Sequence, residues 1–284
     1  MKILTHRGLE PGHENFFLES SLGAFGNHLS RGFGVEFDIN FTLDNRIVIF
    51  HDSELSRITE GRDTRSICKM NLSDVLSVEL GESRICELNE LLNLISVAGA
   101  EVDALHLKSK FQNEYYLDLL LEYLNGNKKS VDSLVIFDVK ISTARYLKEK
   151  MPKLKLAPSV AHDFDIARYN NSVGGTLISV STAIKHYDLF DWVWLDEWDL
   201  QSHDGKGKNL YNDDIFASLR AAQFKIALVS PELHSTSPSL LGGEVHPDGL
   251  NIDLLNRRLL DIVKLNPDAI CTDYPELLRS LIIK

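Results

Sequence analysis

Short apolar runs rich in β-branched and aromatic residues recur along the whole chain with helical patterns between them. This alternation limits the fold more than any other feature. The runs are KILTH (2–6), GVEFDIN (34–40), DALHLK (103–108), SLVIFDV (133–139), KLKLAPSV (153–160), DWVWLDEW (191–198), KIALVS (225–230) and PDAICTDY (267–274). Between them lie helix candidates such as ELNELLNLISVA (87–98), EYYLDLLLEYL (114–124), STARYLKEK (142–150) and IFASLRAA (215–222). Strand alternating with helix implies parallel pairing through right-handed crossovers. Eight strand candidates predict an α/β chain folded as a (β/α)8 TIM barrel, a single domain over 1–284. One run breaks the rhythm. NRIVIFHD (45–52) reads as a strand but follows the second run with no room for a helix, so the LDN turn predicts a local excursion, followed by a short insertion.

Bulk properties narrow the partners. A formal net charge of -11 argues against nucleic acid or an anionic membrane surface, both of which select basic footprints. No apolar run reaches the 18 residues of a membrane-spanning helix, and KIL (2–4) is too short for the core of a signal peptide. The 3 cysteines, Cys68, Cys86 and Cys271, are odd in number and scattered, which predicts a reducing, cytoplasmic setting. A small anionic substrate stays compatible with the acidic total, because it feels only the field of its pocket.

In a barrel of this type, residues at the carboxyl ends of the strands meet at one mouth. His6 and Arg7 end the first run, and Glu36 and Asp38, two apart, share a face of the second. His51 and Asp52 end the excursion, and His106 and Lys108 are again two apart on the third run. Any one of these reads as a cap or surface residue by itself. Their joint appearance at successive strand ends reads as a site.

These residues also sit in a recognisable series. HRG (6–8), EN (14–15), EFDINFTLDNRIVIFHDSELSRITEG (36–61), ICELNELL (85–92) and DAICTDYPELL (268–278) closely resemble, in order, the motifs of the glycerophosphodiester phosphodiesterases. The likeness is good over the first 110 residues and the last 20; between them only the order of elements agrees. The resemblance implies a barrel phosphodiesterase that cleaves a small glycerophosphodiester-like substrate to an alcohol and a phosphomonoester. By position, His6 and His51 are the acid–base pair, Arg7 and Lys108 contact phosphate, and Glu36 and Asp38 hold one divalent cation, Mg²⁺ or Ca²⁺ by family. The residue types suit those roles. A cation and a guanidinium answer the charge of the transition state, and imidazole moves protons at neutral pH.

Where the family has a glutamate as third metal ligand, this chain has His106. An imidazole beside two carboxylates shifts the preference toward Mn²⁺ or Zn²⁺. Three readings stay open in the sequence: His106 is a ligand, His106 touches substrate while water replaces the glutamate, or no metal binds. For the alcohol end, which includes sugar- or polyol-linked diesters, the candidates are Glu197 and Trp198 after strand six and Glu232 after strand seven. Trp192 and Trp194 read as packing, and Asp138 equally well as a surface residue. The rival functions are a barrel that binds a phosphorylated metabolite without turnover and a lyase that stops at a cyclic phosphate. Oligomeric state is not legible.

Overall fold

Alternation of side chains along parallel strands explains the architecture. A computed structural model of the chain describes residues 1–14, 16–197, 209–233 and 246–282. The strands β1 (Lys2–His6), β2 (Gly34–Phe41), β3 (Asp103–His106) and β4 (Leu134–Phe137) lie side by side, all parallel. They are followed by β5, in two short pieces (Lys155–Leu156 and Ser159–Val160), then β6 (Trp192–Leu195), β7 (Lys225–Val229) and β8 (Ala269–Thr272). β8 returns to pair with β1. All eight residues of β2 are buried, as expected for a strand covered on both faces. Val35, Phe37, Ile39 and Phe41 join the outer core under the helices, while Glu36 and Asp38 belong to the opposite face.

The same rule fills the barrel interior. Leu4, Ala104, Val135, Trp192, Trp194, Ala227, Ala269 and Cys271 form one cluster, in which the bulky indoles are offset by alanines from neighbouring strands. Both tryptophans therefore pack inside the barrel, not against the helix layer.

Closure depends on a proline. β5 pairs with β4 through its first piece and with β6 through its second. Between them the Ala157 N–H donates to Ile136 O (2.9 Å), and Pro158 O accepts from the Trp194 N–H (3.0 Å). Pro158 has no N–H to give, so the ladder changes partner at this residue. A two-residue strand, Leu177–Ile178, adds to the second piece. Nothing in the apolar pattern of the sequence foretold it.

The excursion after β2 is an antiparallel strand, Ile47–Ile49, which pairs with both β2 and Cys86–Glu87. The insertion that follows packs on itself. Phe50, Leu55, Ile67, Met70, Val75, Leu80 and Ile85 give it a small apolar core of its own. Among the described residues no helix is long and apolar enough to cross a membrane.

Gly34 fixes the approach of β2 to β3: a Cβ there would lie 2.0 Å from Val102 O and 2.7 Å from Leu4 Cδ2. Gly34→Ala is expected to cost about 1–3 kcal/mol, the usual range for overpacking a close-packed interior. Gly126→Ala, at a helix end with nothing within 4 Å, is expected to gain about 0.4–1 kcal/mol by restricting the unfolded chain. Urea titrations of both variants check the opposite signs.

Candidate active site

Register brings the strand-end residues to one level. His6 pairs across from Glu36, Asp38 from His106, and His106 from Phe137. Their side chains line a single cavity of about 360 Å³ with Arg7, His51 and Lys108. Segments far apart in sequence thus contribute all seven polar groups proposed for phosphate, metal and proton transfer.

Each histidine thought to move protons has a carboxylate of its own. His6 Nδ1 lies 2.9 Å from Asp273 Oδ1, and His51 Nδ1 lies 2.6 Å from Asp52 Oδ1. With Nδ1–H on the carboxylate, Nε2 is left as the basic nitrogen in both rings. Their surroundings then pull them apart. Burial and the Arg7 charge lower the His6 ring, yet Asp273 and Glu36 leave it above the ordinary imidazole value. Burial, reinforced by Arg7 and Lys108, pushes His51 down to about 4 against the opposing pull of Asp38 and Asp52.

The sequence pattern does not single out Asp273, although it follows directly on the last strand. Its place is set by Glu232. The Glu232 Oε1 accepts from the Ser230 hydroxyl (2.6 Å), the Thr272 hydroxyl (2.5 Å) and the Asp273 N–H (3.0 Å). Glu232 is therefore a buried brace between β7 and β8, not part of the cavity lining.

Glu197 also lies elsewhere. It is buried, accepting from the Leu210 N–H (2.6 Å) and Arg258 Nη2 (2.8 Å), and His246 is 3.8 Å away. Burial would raise its carboxyl, but His246 and Arg258 hold it below the usual value. Both acids expected at the alcohol end instead serve the frame, because a carboxylate buried behind a strand end needs donors and finds them in the neighbouring loops. Trp198 lies outside the described residues. The cavity wall here is Trp194, Asp196 and Leu177, with Ser172–Gly174 closing over Ser109. Phe137 stacks on Trp194 with ring centroids 3.9 Å apart. Trp194 therefore packs and lines the cavity at once, a double role that strand alternation does not reveal.

Glu36, Asp38 and His106 present ligand atoms that all lie within 4.8 Å of one another. Burial and then Asp38 push the Glu36 carboxyl up to about 7, so this acid pair is short of positive charge. Burial would raise Asp38 too, but Lys108, His51 and His106 hold it well below the usual carboxylate range. Asp38 Oδ1 takes His106 Nδ1 (2.8 Å) and Lys108 Nζ (3.2 Å), while Oδ2 is buried and accepts no hydrogen bond. A buried oxygen that meets the Arg7 guanidinium only at 3.5 Å and accepts no hydrogen bond, beside a carboxyl that resists ionising, fits a divalent cation. The His106 ring is otherwise engaged: Nε2 lies 3.4 Å from Asp138 Oδ2. Burial would lower it, but Asp138 and Asp38 push it up to about 9. Asp138 is buried and lines the cavity, so the surface reading of it fails. Cys271 also lines the cavity, but burial pushes its thiol far up, so it packs and does not attack.

The family model described as the glycerophosphoryl diester phosphodiesterase family matches residues 6–277. No curated protein matches the chain. Solved structures of similar fold include a putative glycerophosphoryl diester phosphodiesterase from Agrobacterium tumefaciens, at 17% identity and TM-score 0.68 over 100% of this chain and 97% of that one. A phosphodiesterase from Oleispira antarctica, solved with the product sn-glycerol-3-phosphate, is 19% identical with TM-score 0.67 over 100% and 97%. A glycerophosphodiester phosphodiesterase from Thermotoga maritima is 20% identical with TM-score 0.63 over 98% and 97%. The family match, running from the histidine that ends the first strand into the last helix, means that the chain belongs to the glycerophosphoryl diester phosphodiesterase family of phosphoric diester hydrolases.

Proposed function

We propose that this chain, as one barrel domain, hydrolyses a small glycerophosphodiester to an alcohol and a phosphomonoester in the cytoplasm. The observation that carries the reading is the pair of carboxylate-backed imidazoles, His6 and His51, which share a cavity with Arg7 and Lys108 and whose proton affinities are shifted in opposite directions by their surroundings. Arg7 and Lys108 hold the charged phosphoryl oxygens. Neutral His51 takes the proton of the attacking hydroxyl, and His6, held toward its protonated form, gives a proton to the leaving alkoxide. Glu36, Asp38 and His106 would hold one divalent cation. Bound there, the ion supplies Lewis-acid charge beside the phosphoryl group. Trp194, Asp196 and Ser172 replace Glu197 and Glu232 as contacts for the alcohol, where an aromatic face and polar groups suit a polyol. The Oleispira relative carries sn-glycerol-3-phosphate, which supports a glycerol phosphate product here.

Two measurements test this. Phosphorus NMR of glycerophosphocholine and glycerophosphoglycerol with Mn²⁺ or Mg²⁺ is expected to show a phosphomonoester. His6→Ala and His51→Ala should each lose at least ~10²-fold in kcat, a typical contribution of positioned proton transfer, while circular dichroism shows the fold intact. Absence of turnover with every metal and diester sinks the hydrolase reading, and a persistent cyclic phosphate replaces it with a lyase.

The second is a pH profile. A base must be unprotonated and an acid protonated, so kcat/KM should fall as pH drops through about 4 at His51 and fall again as pH rises through the elevated value of His6. Asp273 is one of the groups that raise His6. Asp273→Asn is therefore expected to move the alkaline limb toward lower pH; a limb that stays put removes His6 as the acid.

A further inference from the structure

We infer that Asp138 is a positioning residue for the metal centre, holding His106 so that an imidazole can stand among the ligands. The inference rests on the metal reading given above. Asp138 follows β4 with φ at +64°, a left-handed conformation that a residue with a Cβ adopts at some cost. The conformation is held from outside. Gln112 Nε2 donates to Asp138 O (2.7 Å) and Leu107 O (2.7 Å), and Gln112 Oε1 accepts from the Lys140 N–H (2.9 Å). One amide from beyond β3 thereby pins the turn after β4.

The result is a cradle for the His106 ring. Asp138 Oδ2 meets Nε2 at 3.4 Å. The Phe137 ring stacks on the imidazole, with centroids 4.8 Å apart and planes 15° from parallel. Phe137 itself rests on Trp194. With its face and one edge held, the ring presents Nδ1 beside Asp38, where the distance is 2.8 Å. Asp138 keeps the proton on Nε2, so Nδ1 is the nitrogen that would be free to hold a cation, its own proton being released to solvent. It also returns a negative charge to the centre, though one step outside the ligands. Carboxylates that orient a ligating histidine typically change metal affinity by about 10–100-fold.

The test is calorimetric and independent of turnover: Mn²⁺ binding at fixed pH to the wild-type chain, Asp138→Asn, Asp138→Gly, His106→Glu and His106→Glu/Asp138→Asn. Asp138→Asn is expected to weaken Mn²⁺ by about 10–100-fold. Asp138→Gly should weaken it as well, although glycine accepts the positive φ without strain. In the His106→Glu background the ligand no longer needs orienting through Nε2, so adding Asp138→Asn should leave affinity unchanged or tighter. Unaltered binding in Asp138→Asn, or equal loss in both backgrounds, overturns the inference while the metal reading stands. Failure of the wild-type chain to bind Mn²⁺ overturns both.

Discussion

Asp38 carries its charge into a place where water scarcely reaches: its side chain is 1% exposed. A carboxylate moved from water to such a site pays several kcal/mol unless cations or donors meet it. Here His106, Lys108 and Arg7 converge at 2.8, 3.2 and 3.5 Å. These partners come from β3, the turn after it and the end of β1, so the compensation exists only when three strands hold the right register. A one-residue slip in any of them would turn every side chain to the other face, leaving a charge among the outer apolar side chains. The chemistry of the mouth and the topology of the sheet are therefore one constraint.

That coupling explains what was readable from the chain. Glu36 and Asp38, or His106 and Lys108, show themselves because polar residues two apart in an apolar run must share a face. The barrel followed from the alternation, and the excursion from the LDN turn. Contacts made by residues far apart left no such mark. Asp273 looks like any acid after a strand until Glu232 is seen to fix its N–H. Glu197 and Glu232 looked like cavity residues because carboxylates at strand ends often are; only the donors around them show that they brace loops. Leu177–Ile178 is too short for a periodic signal, and the break in β5 needed the pairing of both its halves to become visible.

The histidine at 106 changes how charge is distributed around the site as well as which donor atom is offered there. A glutamate would have added a third acid to Glu36 and Asp38, and burial already pushes Glu36 up to about 7. Imidazole relieves that crowding and brings a proton with it. Asp138 then supplies the missing negative charge from the far edge of the ring, where it is separated from Glu36 and Asp38 by the imidazole itself. The acids around the ring thereby stand in a less repulsive order.

The insertion after β2 reaches the site through Arg57. Arg57 donates from Nε to Asp52 Oδ2 (2.6 Å) and from Nη2 to Glu19. Glu19 in turn lies 4.0 Å from Arg7. A chain of hydrogen bonds and ion pairs thus runs from the His51 ring through Asp52, Arg57 and Glu19 to the Arg7 guanidinium. Its middle member hangs from an element with its own apolar core, anchored by Leu55 on the same turn. An arginine that donates to two carboxylates fixes both. The His51 imidazole and the Arg7 guanidinium are thereby linked through a side chain carried by a small packed module outside the barrel.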